Sequence, residues 1–209
     1  MDLKDEHALQ QIKQKLGGSV KHRAGLNSVR YRLSHKKGII DLISRINGHI
    51  RNSVRVFQLK KICNQYNIEF IESGFASSYS IDNGWFAGFF DADGTITFSL
   101  KNKVPQLTIS VTNKKEIDVL FFKTVFRGSV YFDKAQNGYY KWSIQSQKDI
   151  LNMLEYFKKH PSRSSKKKRL HLVSLYYSLK KIKAYSQLVE NQALYKAWLR
   201  FQEKWHERS

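Results

Sequence analysis

The sequence predicts an α+β fold in which two pseudo-symmetric repeats each contribute an antiparallel sheet to one basic surface. Three observations predict it: segments recur at a constant spacing, short segments alternate polar and apolar residues, and positive charge is spread along the whole chain. The recurrence indicates a duplicated unit, the alternation indicates half-buried strands, and the charge indicates a polyanionic partner.

The duplication is visible in matched segments. "GGSV" at 17–20 returns as "RGSV" at 127–130, which is 110 residues later. "GIIDLI" at 38–43 answers "DILNML" at 149–154, and Leu59 answers Leu170 at a spacing of 111 residues. Because the order of elements around these matches also agrees, we interpret them as two copies of one unit.

The second copy reads as helix, two strands, helix, two strands, helix. Asn113 as an N-cap with Glu116 three residues later predicts the start of the middle helix, and Pro161 ends the helix that follows the hairpin turn "AQNG". The predicted elements are helix 80–91, strands 95–100 and 106–111, helix 114–126, strands 129–134 and 139–145, helix 147–159 and a last amphipathic helix from about residue 166.

The first copy contains only the later part of this pattern. Its predicted elements are helix 3–15, strands 19–23 and 29–34, helix 36–47 and helix 56–66. No counterpart of residues 79–113 is found, so the chain is expected to begin in the middle of its first repeat. We predict an incomplete first repeat at 1–66 without its first helix and first two strands, a linker at 67–79, and a complete second repeat with C-terminal helices at 80–209.

Composition favours a nucleic-acid partner. The 209 residues include 37 Lys and Arg against 17 Asp and Glu, a formal net charge of +20. This excess is not confined to a tail, and a solvated cationic surface is the alternative explanation. The single cysteine, Cys63, excludes a disulfide framework or a zinc finger within the chain and is expected to be a buried thiol. No apolar run approaches the length of a membrane span, so no membrane partner is expected.

The stretch "GWFAGFFDADG" combines a helix suited to close packing with two acids. Three small residues lie on one face of this helix and allow a second helix to approach closely: Gly84, Ala87 and Gly88. Asp91 and Asp93 follow where the helix dipole is negative, which is unfavourable by about 0.3–1 kcal/mol unless a positive group compensates. A divalent cation would compensate, and Mg²⁺ favours carboxylate oxygens with water and phosphate. A cap on the following turn is the alternative role for either acid.

The segment "FAGFFDADG" at 86–94 resembles the signature motif of the LAGLIDADG homing endonucleases and maturases, with six of nine positions identical. The order of elements and the segment "GHIRNSVRVFQLKKICNQYNI" at 48–68 are also similar to this family. The resemblance implies a DNA endonuclease encoded in an organellar group I intron, of the mitochondrion or alternatively the chloroplast. It implies that Asp93 is a catalytic acid that binds Mg²⁺ or Mn²⁺, and that Asp91 is mainly structural at the helix-packing face.

A basic run follows Pro161, and the resemblance implies that one of its lysines lies near the scissile phosphate. Lys168 is the predicted catalytic lysine by its distance from Pro161, and plain phosphate anchoring is the alternative. The polar faces of the strands carry hydroxyl, amide and basic groups suited to base edges and phosphates, and an ordinary solvated sheet face is the alternative. The predicted nucleic-acid contacts are Arg30, Arg32, Arg51, Arg55, Thr95, Thr97, Ser99, Lys101, Gln106, Thr108, Ser110, Tyr139, Lys141, Ser143, Gln145, Lys166, Lys167 and Arg169.

Only one motif is present, whereas family members that act as a single chain carry two. A second interpretation is therefore a non-catalytic RNA-binding derivative, either an intron maturase or a structural component of a ribonucleoprotein such as an organellar ribosome. A fragment, a split protein or a misassigned start codon would also explain the missing motif. In each case the small-residue helix face predicts a second polypeptide or assembly that covers it, and cleavage is expected to require that partner.

Overall fold

The computed structural model describes residues 1–73, 81–135, 137–187 and 192–207. A short 3-10 turn at Leu3–Asp5 leads into the first helix. The helices are α1 (Glu6–Leu16), α2 (Lys36–Ile46), α3 (Ser53–Gln65), α4 (Trp85–Asp93), α5 (Ile117–Phe126), α6 (Gln147–Lys159), α7 (Lys166–Lys181) and α8 (Gln192–His206). The strands are β1 (Ser19–His22), β2 (Val29–Arg32), β3 (Gly94–Lys101), β4 (Val104–Asn113), β5 (Ser129–Asp133) and β6 (Tyr139–Ile144).

The described strands form two antiparallel sheets. β1 pairs with β2, and the second sheet has the order β3-β4-β6-β5. Ile109 of β4 lies opposite Ile96 of β3 on one side and Ile144 of β6 on the other, so apolar side chains share one face of this sheet. The α+β architecture with antiparallel sheets agrees with the sequence prediction.

The first residues of the chain lie along the edge of β2. The backbone N–H of Val29 donates to the carbonyl oxygen of Met1 at 2.9 Å, and the N–H of Leu3 donates to Asn27 at 3.1 Å. In the second sheet the corresponding edge, that of β6, is covered by β4. These contacts between the first residues and the edge of β2 place the turn at Leu3–Asp5 next to the start of α7.

Two hydrophobic clusters hold the described elements together. The larger one packs α4, α5, α6, α7 and α8 against one face of the four-stranded sheet, with Phe90, Phe122 and Trp142 fully buried. The smaller one joins Ile43 of α2 to Leu59 and Cys63 of α3. Cys63 is fully buried as predicted. The larger cluster gives α4 a rigid support on its apolar side.

Several predicted boundaries were wrong for tertiary reasons. α4 begins at Trp85 rather than at residue 80 and continues to Asp93. α5 begins at Ile117, because Asn113 remains in β4 and its side chain accepts a hydrogen bond from the neighbouring Lys114 N–H instead of capping a helix. The predicted capping box therefore does not form.

Three further expectations also need correction. α3 begins at Ser53, before the predicted residue 56, because the Asn52 side chain caps its first turn. The predicted last helix is interrupted after Lys181, where Lys183 adopts a φ of 55°, and continues as the separate α8. The alternation of the predicted strand 95–100 puts Leu100 on the apolar face with Ile96, yet Leu100 is 66% exposed because it lies near the tip of the β3–β4 hairpin.

Part of the predicted linker at 67–79 lies outside the described residues, which resume at residue 81. The same is true of one position, residue 136, in the predicted hairpin turn. Within the part of the chain that the structure describes, no helix is both long and apolar enough to cross a bilayer.

Candidate functional site

Asp93 is the last residue of α4 and has an exposed side chain. Among the described residues, none forms a hydrogen bond or an ion pair with its carboxylate. The protein around the carboxyl group excludes water and raises the pKa of Asp93, while the positive charges of Lys166 and then Arg55 act in the opposite direction. The Asp93 carboxylate is therefore partly desolvated by the surrounding protein but still accessible to a ligand.

Gly94 lets the chain leave α4 and enter β3 without an intervening loop. A Cβ atom at this position would lie 2.5 Å from the carbonyl oxygen of Phe90 and would also meet the Phe90 ring. Only glycine fits this close approach. The glycine of the motif thus sets where the Asp93 carboxylate lies at the end of the helix.

Asp91, two residues earlier, is fully engaged within the protein. One carboxylate oxygen accepts the backbone N–H of Arg163 at 2.7 Å, and the other accepts the hydroxyl groups of Ser162 and Ser164 at 2.5 and 2.7 Å. The Ser164 N–H adds a longer bond of 3.3 Å. Asp91 therefore ties the turn before α7 to the end of α4. This contact is structural, but it is not the cap on the turn directly after α4 that the sequence analysis gave as the alternative.

Lys166, the first residue of α7, lies directly on the end of α4. Its ammonium group donates to the carbonyl oxygens of Phe90 at 2.9 Å and Asp91 at 2.6 Å. Burial lowers the pKa of Lys166, and the acids Asp91, Asp5 and Asp93 partly offset this. A cation at this point compensates the negative end of the helix dipole without any metal ion.

Lys168 lies farther round α7 and is exposed. It lines the same cavity as Lys166, a space of about 470 Å³ at the end of α4. Its wall carries charges of both signs: the basic residues are Lys4, Lys166, Lys168, Arg169 and Lys204, and the acidic residues are Asp2, Asp5, Asp91 and Glu207. Lys166 is in contact with the motif helix, whereas Lys168 is a candidate for phosphate contact at the cavity wall.

Asp5 also lines this cavity, and the sequence analysis did not select it. The side chain is buried and accepts the Ser165 N–H at 2.6 Å. No local motif marks it, since its partner is 160 residues away. Only the repeat spacing, which makes the start of α1 correspond in sequence to the start of α5, could have drawn attention to this region.

The polar face of the four-stranded sheet forms a second, open concavity of about 620 Å³. Its walls combine hydroxyl, amide and basic groups, as predicted. The predicted contacts among them are Thr95, Thr97, Ser99, Thr108, Ser110, Tyr139, Lys141 and Gln145. Gln106 donates to Gln145 at 2.8 Å, and Lys101 is exposed at the end of β3. This face is suited to the edges of bases and to phosphates.

Some predicted nucleic-acid contacts are used within the protein instead. Ser143 is buried under its neighbouring strands and is not part of the concavity wall. The guanidinium of Arg169 donates to the carbonyl oxygens of Trp205 and Ile96, both at 3.1 Å, and joins α7 to α8 and β3. Lys167, by contrast, is exposed on α7.

The first sheet and α3 contribute further positive groups. Arg30 and Arg32 are exposed on β2. The Arg51 guanidinium stacks over the Trp85 ring at 4.5 Å, so it anchors the segment before α3 to α4. Arg55 is close enough to Asp93 to lower its pKa, and it donates to Gln58 at 2.7 Å.

The exposed face of α4 differs from the predicted one. Gly84 and Gly88 are exposed, and a Cβ atom built on Gly88 has no neighbour within 4 Å among the described residues. Ala87 instead faces the core, where its N–H donates to the Tyr156 hydroxyl at 3.1 Å. The prediction that all three small residues share one packing face was wrong for Ala87, because 87 lies on the side of the helix that carries Phe86 and Phe90.

Comparison with known proteins gives three findings. A family model described as LAGLIDADG endonuclease matches residues 86–177. The "Intron-encoded RNA maturase bI4" of Saccharomyces cerevisiae is 50% identical over 99% of this chain, and the chain spans 32% of that protein, about a third of its length. The "Intron-encoded DNA endonuclease ai2b" of Dictyostelium discoideum is 35% identical over 98% of this chain and 78% of that protein.

The fold has a clear counterpart among solved structures. The LAGLIDADG meganuclease I-AabMI, solved bound to uncleaved DNA, superposes with a TM-score of 0.69 at 19% sequence identity. The match covers 98% of this chain and 86% of that protein. Both the predicted fold class and the resemblance drawn from "FAGFFDADG" are confirmed.

Proposed function

The chain belongs to the LAGLIDADG endonuclease family, and we propose that it is the nucleic-acid-binding part of an intron-encoded endonuclease or maturase. In this proposal the polar face of the second sheet lies against the bases and backbone of the nucleic acid, with Arg30 and Arg32 extending the surface over the first sheet. The observation that carries it is the exposed Asp93 side chain at the end of this face, beside the cavity that Lys166 and Lys168 line.

Phosphodiester hydrolysis is proposed only for an assembly that supplies a second acid. Among the described residues, no group of three His, Cys, Asp or Glu side chains could hold a metal ion. Asp93 alone fits half of a site for Mg²⁺ or Mn²⁺, to be completed by phosphate oxygens and by a carboxylate from another motif helix. When bound, such an ion would activate water and stabilise the leaving oxygen.

Lys166 and Lys168 have different proposed roles. Lys166 holds the end of α4 and contributes positive potential near the reacting phosphate. Lys168, exposed on the cavity wall, contacts a phosphate directly. We retain Lys168 as a candidate catalytic lysine and add Lys166 because of its contact with the motif helix.

The regional division also remains a proposal. Residues 1–66 are proposed as part of a first repeat, 67–79 as a linker and 80–209 as a second repeat. A second polypeptide or a further segment of a longer chain is proposed to cover Gly84 and Gly88 on α4. The intron-encoded relatives support an organellar location, for which we propose the mitochondrion, with the chloroplast as the alternative.

RNA binding without cleavage is the second candidate. It is favoured by the presence of one copy of the motif, with Asp93 as its acid open to a ligand, and by the 50% identity to a protein whose name describes it as an RNA maturase. The same sheet face would then hold structured RNA, and Asp93 would have no catalytic task.

A salt titration tests the proposal. The binding of a labelled duplex DNA and a labelled structured RNA is measured by fluorescence anisotropy at several salt concentrations. We expect a steep fall of log affinity with log salt, because phosphate contacts release counterions. A flat response with both ligands would overturn nucleic-acid binding through this surface, and a response with RNA alone would favour the maturase candidate.

A further inference from the structure

Two buried carboxylates connect the first part of the chain to the second. Asp118, in the first turn of α5, is 6% exposed. It accepts the backbone N–H of Ser53 at 2.8 Å, the Ser53 hydroxyl at 3.2 Å and the Asn52 side-chain amide at 3.2 Å. An acid of the second repeat thus holds the beginning of α3 in the first.

Asp5 makes the opposite connection. It lies immediately before α1 and is also 6% exposed, but its side chain does not cap its own helix. It accepts the Ser165 N–H at 2.6 Å, at the start of α7. An acid of the first repeat therefore holds the beginning of a helix in the second.

The two connections are alike, but they do not occupy equivalent positions of the internal repeat. At the repeat spacing of 110–111, Asp5 answers residue 115 or 116 rather than Asp118, and Ser53 answers residue 163 or 164 rather than Ser165. Each carboxylate lies at two helix N-termini, α1 and α7 for Asp5, α5 and α3 for Asp118. Two positive helix ends stabilise each buried negative charge, and the charge of Asp5 also acts on the Lys166 ammonium group.

A basic residue beside each of these helix starts contacts α4. At α7 this is Lys166, one position after Ser165, and it donates to the carbonyl oxygen of Asp91. At α3 it is Arg51, two positions before Ser53, whose guanidinium lies 4.5 Å from the centre of the Trp85 ring. A shift of either helix start would move one of these cations relative to α4.

We propose that Asp5 and Asp118 are reciprocal positioning residues, each of which fixes the start of a basic helix of the other repeat against α4. The importance of this arrangement for phosphate chemistry rests on the proposed function, but the arrangement itself does not. The coupling makes the site a joint product of both repeats.

Backbone hydrogen exchange on the complete chain tests the proposal. Asp5→Ala removes the acceptor, whereas Asp5→Asn keeps an oxygen for the Ser165 N–H. We expect several-fold faster exchange of the Lys167 and Lys168 amides, which are hydrogen-bonded in the first turn of α7, in the alanine variant only. The same comparison for Asp118 should affect the first turn of α3. Asp41→Ala is the control, because among the described residues the Asp41 carboxylate pairs with Arg45 of its own helix.

A second variant removes the Ser165 N–H donor and keeps the charges of Asp5 and Lys166. Ser165 has a φ of −56°, which proline also adopts, so Ser165→Pro deletes the N–H, and its ring displaces the Asp5 carboxylate that lies 2.6 Å from this nitrogen. We expect several-fold faster acylation of Lys166 at fixed pH, with the exposed Lys196 as the internal reference. If the alanine and asparagine variants exchange alike, or if Lys166 acylation is unchanged, the positioning role is wrong. Because neither readout involves nucleic acid, a failure of the proposed function would be seen separately in the binding titration.

Discussion

The ammonium group of Lys166 donates to the carbonyl oxygen of Asp91 at 2.6 Å. The first residue of α7 thus places a cation at the C-terminal end of α4. The contact compensates the negative end of α4 within the protein and leaves the Asp93 carboxylate exposed. It also separates the two acids of the motif: Asp91 holds the turn before α7, and Asp93 is open to a ligand.

The contact predicts that Lys166 contributes to stability. Lys166→Ala removes the ammonium donor from the Phe90 and Asp91 carbonyl oxygens, of which Phe90 keeps the Gly94 N–H. We expect a loss of about 1–2 kcal/mol in the free energy of unfolding. Lys168→Ala is the matched control, because that side chain is exposed, and its effect should stay within about 0.5 kcal/mol. Urea unfolding of both variants measures the difference, and equal effects would contradict a specific role for Lys166.

The two acids of the motif should respond oppositely to amidation. Asp91→Asn replaces an oxygen that accepts N–H and O–H donors with an amide donor, and we expect it to destabilise the chain by about 2–4 kcal/mol. Asp93→Asn disrupts no described hydrogen bond and should leave the fold and the nucleic-acid affinity intact. In an assembly that cleaves, it should abolish metal-dependent cleavage. Thermal unfolding and the binding titration are the measurements, and a strongly destabilised Asp93→Asn variant would show that its carboxylate is structural.

Asp93 also predicts a pH dependence. Its pKa is raised in the folded state, so the folded chain binds the proton more tightly than the unfolded chain does. This contribution to stability is present at low pH and is lost as the pH rises from the ordinary value of 3.8 through the higher folded pKa. The stability gain of Asp93→Asn over the parent chain should therefore appear above this window and vanish below it. A gain independent of pH would contradict the assignment.

The sequence predicted the sheet better than the site, and the reason is physical. Alternation reports directly which face of a strand is buried, so the burial of Ile96, Ile109 and Trp142 follows from the pattern of their own segments. The choice between Lys166 and Lys168 depends on the phase of α7 relative to α4, and a run of identical lysines carries no sign of that phase. Asp5 and Asp118 have partners 160 and 65 residues away, and no local pattern marks such a contact.

The polar sheet face predicts how single charges affect binding. Lys141→Gln should lower the slope of log affinity against log salt by about 0.9 if its ammonium neutralises one phosphate. Lys196→Gln, an exposed change on α8 away from the sheet face, should leave the slope unchanged. Because phosphate contacts carry little base information, the loss should be similar for unrelated duplex sequences. Equal slopes for the two variants would remove Lys141 from the interface.

The open face of α4 gives the sharpest test of what covers it. Gly88 is helical and a Cβ atom there meets no described atom, so Gly88→Ala should stabilise the chain by about 0.5–1 kcal/mol through helix propensity. Gly94→Ala is the control, since its Cβ would meet Phe90, and it should destabilise the chain by about 1–3 kcal/mol.

The same Gly88→Ala change should weaken association with any partner whose helix packs closely on this face, because the added methyl group separates the two backbones. Unfolding at several protein concentrations and sedimentation distinguish the cases. If Gly88→Ala destabilises the chain increasingly as the concentration rises, the face is already covered by a second copy. If it destabilises the chain equally at all concentrations, the face is not open as described.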